Sequence, residues 1–114
     1  MALNTAGLNS AAAGFAAAFP FLSLHTSGAV TASTNESTAA RVAASWGAAS
    51  GGAVAATNRA FTGGAASGPV VRVGYWSASS GGTYGGGALL TGDQSFNAAG
   101  EYTVTSVTET ATGA

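Results

Sequence analysis

Four carboxylates, one histidine and a scatter of serines are the side chains through which this sequence could do acid, base or nucleophile chemistry. His25 is the single histidine and Asp93 the single aspartate, so a Ser-His-Asp site would have to use both. No G-x-S-x-G elbow presents a serine to them, and no spacing links the three. His25 stands beside Leu24 in an apolar run, the usual place of a histidine satisfied by its own neighbours. Two carboxylates can hydrolyse a glycoside, and the pool is Glu36, Asp93, Glu101 and Glu109. Glu101 and Glu109 share a face of one extended run, but eight residues place them roughly 27 Å apart, too far to act as a pair. Glu36 or Asp93 would have to be brought to either by the fold.

The remaining signals are weaker. Gly85-Gly86-Gly87 matches neither a dinucleotide fingerprint nor a P-loop, which needs a lysine this chain lacks. No cysteine or histidine pair exists for zinc. A calcium site near Asp93 and Asn97 would have a single local carboxylate. Asn35-Glu36-Ser37 matches a glycosylation sequon, a pattern that recurs by chance. Trp46, Tyr75 and Trp76 could form a sugar platform. In a chain this poor in large apolar residues they are expected in the core. Tyr75 and Trp76 are adjacent, so they face opposite ways in a strand, and one of them is expected at a surface or interface. No catalytic residue, cofactor-binding residue or metal ligand is assigned.

The elements that would hold these residues are short. Leu8, Ala12, Phe15 and Phe19 make one helical stripe, Asn4 or Thr5 can cap its start, and Pro20 ends it. Beyond Pro20 the pattern becomes strand-like. Phe21–His25 puts Leu22 and Leu24 on one face, and residues 26–38 read as a loop. Arg41–Trp46 alternates, a Ser50-Gly51-Gly52 turn follows, and Ala53–Phe61 is expected to return as its hairpin partner. Val70–Trp76 is the densest β run. Thr83–Leu90 carries the three glycines, a sign of a bulge or close backbone contact. Glu101–Thr112 reads as a last long strand. Thr103 and Thr105 would share one of its faces and Thr108, Thr110 and Thr112 the other, which breaks up any flat threonine array. The fold class expected is mostly β, an antiparallel β-sandwich of jelly-roll or Ig-like type with one N-terminal α-helix. Residues 1–19 would form the helical segment and 20–114 the β-sandwich domain, within one domain overall.

Composition narrows the functional classes. Ala and Gly fill 46 of the 114 positions, and 25 apolar residues are larger than Ala. Each of those contributes roughly 1.5–3 kcal/mol when buried, against a backbone ordering cost of about 1–2 kcal/mol per residue. So thin a core favours stabilisation by neighbouring subunits. Seven residues carry charge and none is lysine, whereas a free surface carries roughly 25–35% charged residues. Much of this surface is therefore expected to be interface, where charge is costly to desolvate. The net charge of −1 without a basic cluster argues against nucleic acid and against electrostatic membrane anchoring. The apolar stretch 11–24 is too short to span a bilayer. Arg41, the first basic residue, comes too late for a signal peptide's positive region, so no targeting segment is expected.

Four blocks carry a resemblance: ALNTAGLNSAAAGFAAAFPFLSLHT, RVAASWGAASGGAVAATN, VGYWSASSGGTYGGGALL and FNAAGEYTVTSVT. In order and over nearly the whole chain, they resemble small virion proteins of actinobacterial tailed phages, commonly labelled tail fibre or minor tail proteins. Relatives carry an Asp-Pro-Gly turn where this chain has Ser27-Gly28-Ala29. The resemblance implies a non-enzymatic virion structural protein, in a tail fibre, a minor tail part or a capsid decoration, made in the host cytoplasm. Its partners would be copies of itself and other virion proteins. The other reading is a receptor- or carbohydrate-binding module that meets host surface glycans.

Overall fold

The computed structural model describes residues 2–112. Its helix, α1 (Thr5–Ala18), starts where the Asn4 side chain accepts a hydrogen bond from the Gly7 N–H at 3.0 Å. That bond satisfies one of the donors a helix start leaves bare. The expected stripe is the docking face: Ala12 is buried, and Phe15 and Phe19 pack on the core. The Phe15 ring meets Trp46 and Tyr75 edge-on, with centroids 5.5 and 5.2 Å away. Asn9 Oδ1 accepts from the Gly52 N–H at 2.7 Å. The helix therefore docks on its own chain.

The strands form two antiparallel sheets. One holds four strands in the order β2 (Val42–Ala43), β1 (Phe21–His25), β4 (Arg72–Trp76), β5 (Tyr84–Leu89). The other is a ribbon of β3 (Ala53–Phe61) and β6 (Tyr102–Thr110). The strand expected over Arg41–Trp46 shrinks to two residues, because Ser45 adopts a left-handed backbone (φ 51°) that ends extension. The hairpin expected between this run and Ala53–Phe61 does not form. β3 pairs along its length with β6, and only scattered bonds link it to the earlier segment, Gly47 N–H to Ala55 O at 2.9 Å and Arg59 Nη1 to Ser45 Oγ at 3.2 Å among them. A nine-residue strand finds its ladder in a nine-residue partner rather than in a two-residue one.

Register sorts the four-stranded sheet into two faces. Leu22 pairs with Tyr75, and Leu24 with Val73, so all four point to one side. There they join Ala56, Phe61, Phe96, Val104 and Val107 in the apolar core. Ser23, His25, Arg72, Gly74 and Trp76 share the other side. That side is buried as well, because the segment after β1 folds back over it. The expectation that Tyr75 or Trp76 would reach a surface is corrected: Tyr75 is 2% exposed and Trp76 8%. A strand covered on both faces has no outside. Two β5 glycines serve close approach, since a Cβ would collide with the Phe19 ring on Gly85 and with the Val73 carbonyl on Gly87; Gly86 supplies a φ of 122°, and the β4–β5 register shifts between Tyr75 and Trp76.

The ribbon changes sides halfway. In its first part Val54 and Ala56 are buried, with their partners Glu109 and Val107 turned the same way. Further along, Phe61 and Val104 are buried instead, on the opposite parity of each strand. Two consecutive exposed residues mark the switch on each strand, Thr57-Asn58 and Thr105-Ser106. Asn58 has φ 52°, a left-handed conformation that asparagine tolerates better than most residues. Pairing holds on both sides of it, Thr57 with Ser106 and Arg59 with Val104. The switch overturns the expected split of the threonines. Thr103, Thr105, Ser106, Thr108 and Thr110 are all exposed, along one outward side.

Candidate functional site

Two places gather polar chemistry. The first is the covered face of the four-stranded sheet. Ser23 and His25 are two apart on β1 and therefore neighbours on one side. Ser23 Oγ and His25 Nε2 lie 2.6 Å apart, and His25 Nδ1 lies 2.8 Å from the Thr34 carbonyl. A carbonyl can only accept, so Nδ1 carries the proton and Nε2 accepts from Ser23. Trp76 Nε1 donates to the same Ser23 oxygen at 2.8 Å. Gly74 makes room for this trio, since a Cβ there would stand 2.5 Å from His25 Nε2 and 2.6 Å from Ser23 Oγ.

A hydroxyl donating to an imidazole is the first half of a nucleophilic serine site. Here it is closed off: Ser23 and His25 are both 0% exposed. No substrate reaches the oxygen, and a backbone carbonyl stands where a triad has its carboxylate. Burial holds the His25 pKa below its ordinary 6.5, and the Arg72 charge pushes it the same way against the hydrogen bond to Thr34. His25 is thus a neutral structural residue, as its lone place in an apolar run suggested.

Arg72, also 0% exposed, completes this layer. Its Nε donates to Ser27 O at 2.9 Å, and Nη2 to Thr34 O at 2.7 Å. Nη1 donates to Ala32 O at 2.6 Å and to the Tyr84 hydroxyl at 2.9 Å. The guanidinium fork holds the covering segment by its carbonyls, without a carboxylate. The Tyr84 hydroxyl donates onward to Val30 O at 2.7 Å, and burial raises its pKa. At the rim Arg41 lies 3.6 Å above the Trp76 ring and meets Glu36 through two bonds of 2.9 Å. Among the described residues no buried side-chain polar atom lacks a partner.

The second place is a groove of ≈ 520 Å³ at the Tyr102 end of the ribbon. Its floor is the outward side of the ribbon, Ala60 and Thr62 from one strand end and Thr103 and Thr105 from the other. Thr91, Asp93, Asn97, Glu101 and Tyr102 line the rest of it. The Tyr102 hydroxyl donates to the Asp93 carbonyl at 2.6 Å and ties the Asp93 loop to the start of β6. Burial raises the pKa of that phenol, and the Asp93 charge adds to the effect. The Asn97 side-chain oxygen accepts from the Ala99 and Glu101 N–H groups, both at 2.9 Å. Its amide donates to Glu101 Oε1 at 3.2 Å.

The groove revises the reading of the carboxylates. Glu101 shares it with Asp93, the approach that spacing alone could not anticipate. Glu109 lies elsewhere, accepting the Tyr75 hydroxyl at 2.5 Å. Burial, reinforced by that bond, keeps the Tyr75 phenol protonated far above its ordinary range. Glu36 belongs to Arg41. Of the three aromatic candidates, Tyr75 and Trp76 are core, and Trp46 is half-buried, its Nε1 donating to Phe19 O at 2.9 Å. Among the described residues no group of three or more histidines and acids could hold a metal ion, and no helix is long and apolar enough to cross a membrane. Compared with family models, curated proteins and solved structures, the chain matches none.

Proposed function

We propose that this chain is a non-enzymatic structural module of a tailed-phage particle, in a tail fibre, a minor tail part or a capsid decoration. It acts by packing against copies of itself and neighbouring virion proteins. The observation that carries this reading is the outward side and free edge of the ribbon. Among the described residues β6 pairs with β3 alone, so nine residues present an open edge. Monomeric proteins blunt such an edge with lysine, proline or a bulge. β6 has neither lysine nor proline, and its outward side is Thr and Ser. Of the seven charges, Arg72 is buried, Arg41 and Glu36 neutralise each other, and Glu109 is turned to Tyr75. A hydroxyl surface so poor in charge packs at little desolvation cost. The resemblance to phage virion proteins supplies the assembly. We read the two sheets as facing layers of a sandwich with α1 across one end.

Light scattering of the purified chain tests self-packing. A concentration-dependent oligomer is expected, with Thr105→Lys plus Thr108→Lys shifting it to monomer. A chain that stays monomeric and does not bind phage particles would remove the basis of this reading. Antibody-gold imaging of intact particles then assigns capsid or tail.

A further inference from the structure

We propose that the groove at the Tyr102 end of the ribbon is a saccharide-binding site. This rests on the groove itself and not on the phage assignment. Its ≈ 520 Å³ falls within the roughly 300–1,000 Å³ of small-molecule sites. Its walls are held before any ligand arrives. Tyr102 fixes the Asp93 backbone, Asp93 Oδ1 accepts from the Ser95 N–H and hydroxyl, and Asn97 holds Glu101. What the walls leave over is acceptor capacity. Asp93 Oδ2 and Glu101 Oε2 have no hydrogen-bond partner among the described residues, whereas Oδ1 and Oε1 are engaged.

Lining chemistry selects the ligand class. No Arg or His lines the groove, so phosphate and nucleic acid are repelled. Calcium takes 6–8 oxygens; the groove offers two carboxylates and an amide oxygen that already accepts two N–H groups. A vicinal diol fits what is left. Its hydroxyls donate to the spare carboxylate oxygens, and Thr62 and Thr103 can both donate and accept. The Tyr102 ring is half-buried against the core and meets Phe96 edge-on, which fixes the groove's edge. An open groove with two charged acceptors suits affinity on the order of millimolar.

Amide NMR on the full chain tests this, with methyl glycosides of glucose, galactose and mannose and with N-acetylglucosamine. Expected are saturable shifts confined to Thr62, Asp93, Asn97, Glu101 and Thr103 for at least one sugar. Glu101→Ala should weaken binding about tenfold or more, a loss of about 1.4 kcal/mol. Glu101→Gln, which keeps an acceptor for Asn97, controls for folding and should bind at an intermediate level. Thr108→Ala, on the far half of the ribbon, should bind like the parent. The proposal is overturned if no sugar gives saturable shifts, or if Glu101→Ala binds as the parent does. It is overturned equally if Ca²⁺ or spermidine moves the same amides at lower concentration than every sugar. Thr105 lines the groove and lies on the side that the structural reading packs, so the titrations are made at a dilution where light scattering shows monomer; no sugar binding there overturns this proposal and leaves the oligomer test untouched.

Discussion

The covered layer on β1 and β4 and the groove on the ribbon use nearly the same kinds of side chain to opposite ends. In the layer Ser23, His25, Arg72, Trp76 and Tyr84 are bonded to one another or to the carbonyls of residues 27–34. In the groove half of each carboxylate stays uncommitted. The closer geometry, a serine 2.6 Å from a histidine, is the one that cannot meet a substrate. Proximity of reactive groups is therefore no guide to function where burial closes them off.

Breaking the layer should cost most at Arg72. Arg72→Met leaves the Ser27 and Ala32 carbonyls without a donor, takes one of two donors from the Thr34 carbonyl and removes the Tyr84 hydroxyl's donor, and the expected loss is about 3–5 kcal/mol. Urea denaturation reads it, and Arg72→Lys should recover only part, lacking the fork. A Met variant as stable as the parent would mean that the covering segment is held by something else. Ser23→Ala comes next. It strips the partners of His25 Nε2 and Trp76 Nε1, at about 1–3 kcal/mol.

Acid should find the layer. His25 titrates below its ordinary value of 6.5 in the folded chain, chiefly through burial. The unfolded chain then binds more protons in that window, so stability falls with falling pH. It is fully present above 6.5 and is lost from there down to the depressed folded value. Thermal melts across this range should show the slope, and His25→Gln should flatten it. A smaller effect is expected where the ribbon switches sides. Asn58→Val should cost about 1–2 kcal/mol, because a β-branched residue resists the left-handed backbone, while Asn58→Gly stays near the parent. Chemical denaturation of the pair separates backbone strain from lost side-chain contacts.

Much of the fold was legible. The Leu8–Phe19 stripe, the alternation of Phe21–His25 and the β-branched run ending at Trp76 are local patterns, and local patterns reflect burial on one face. The buried second face was less visible. Its cover is a loop that contributes carbonyls, which every residue type has, so composition carries no trace of it. Two residues did hint at it: an arginine inside the most apolar strand and Gly74 two positions later, where a glycine marks close approach. The β3–β6 pairing depended on chain-distant partners and the groove on loop 91–97, neither of which leaves a periodic signal. Nothing near Asn58 announces an inversion, since asparagine is common in turns and β3 does not turn there.

The inversion also gives the ribbon a reading frame. In an ordinary two-stranded ribbon a slip by two residues preserves parity, so the same kinds of side chain still face inward. Here such a slip would separate Thr105-Ser106 from Asn58 and carry one of those hydroxyls into the space that Val104 or Val107 occupies. Only one alignment keeps both halves apolar inside, so a strand pair with little else to mark its register has a single way to close.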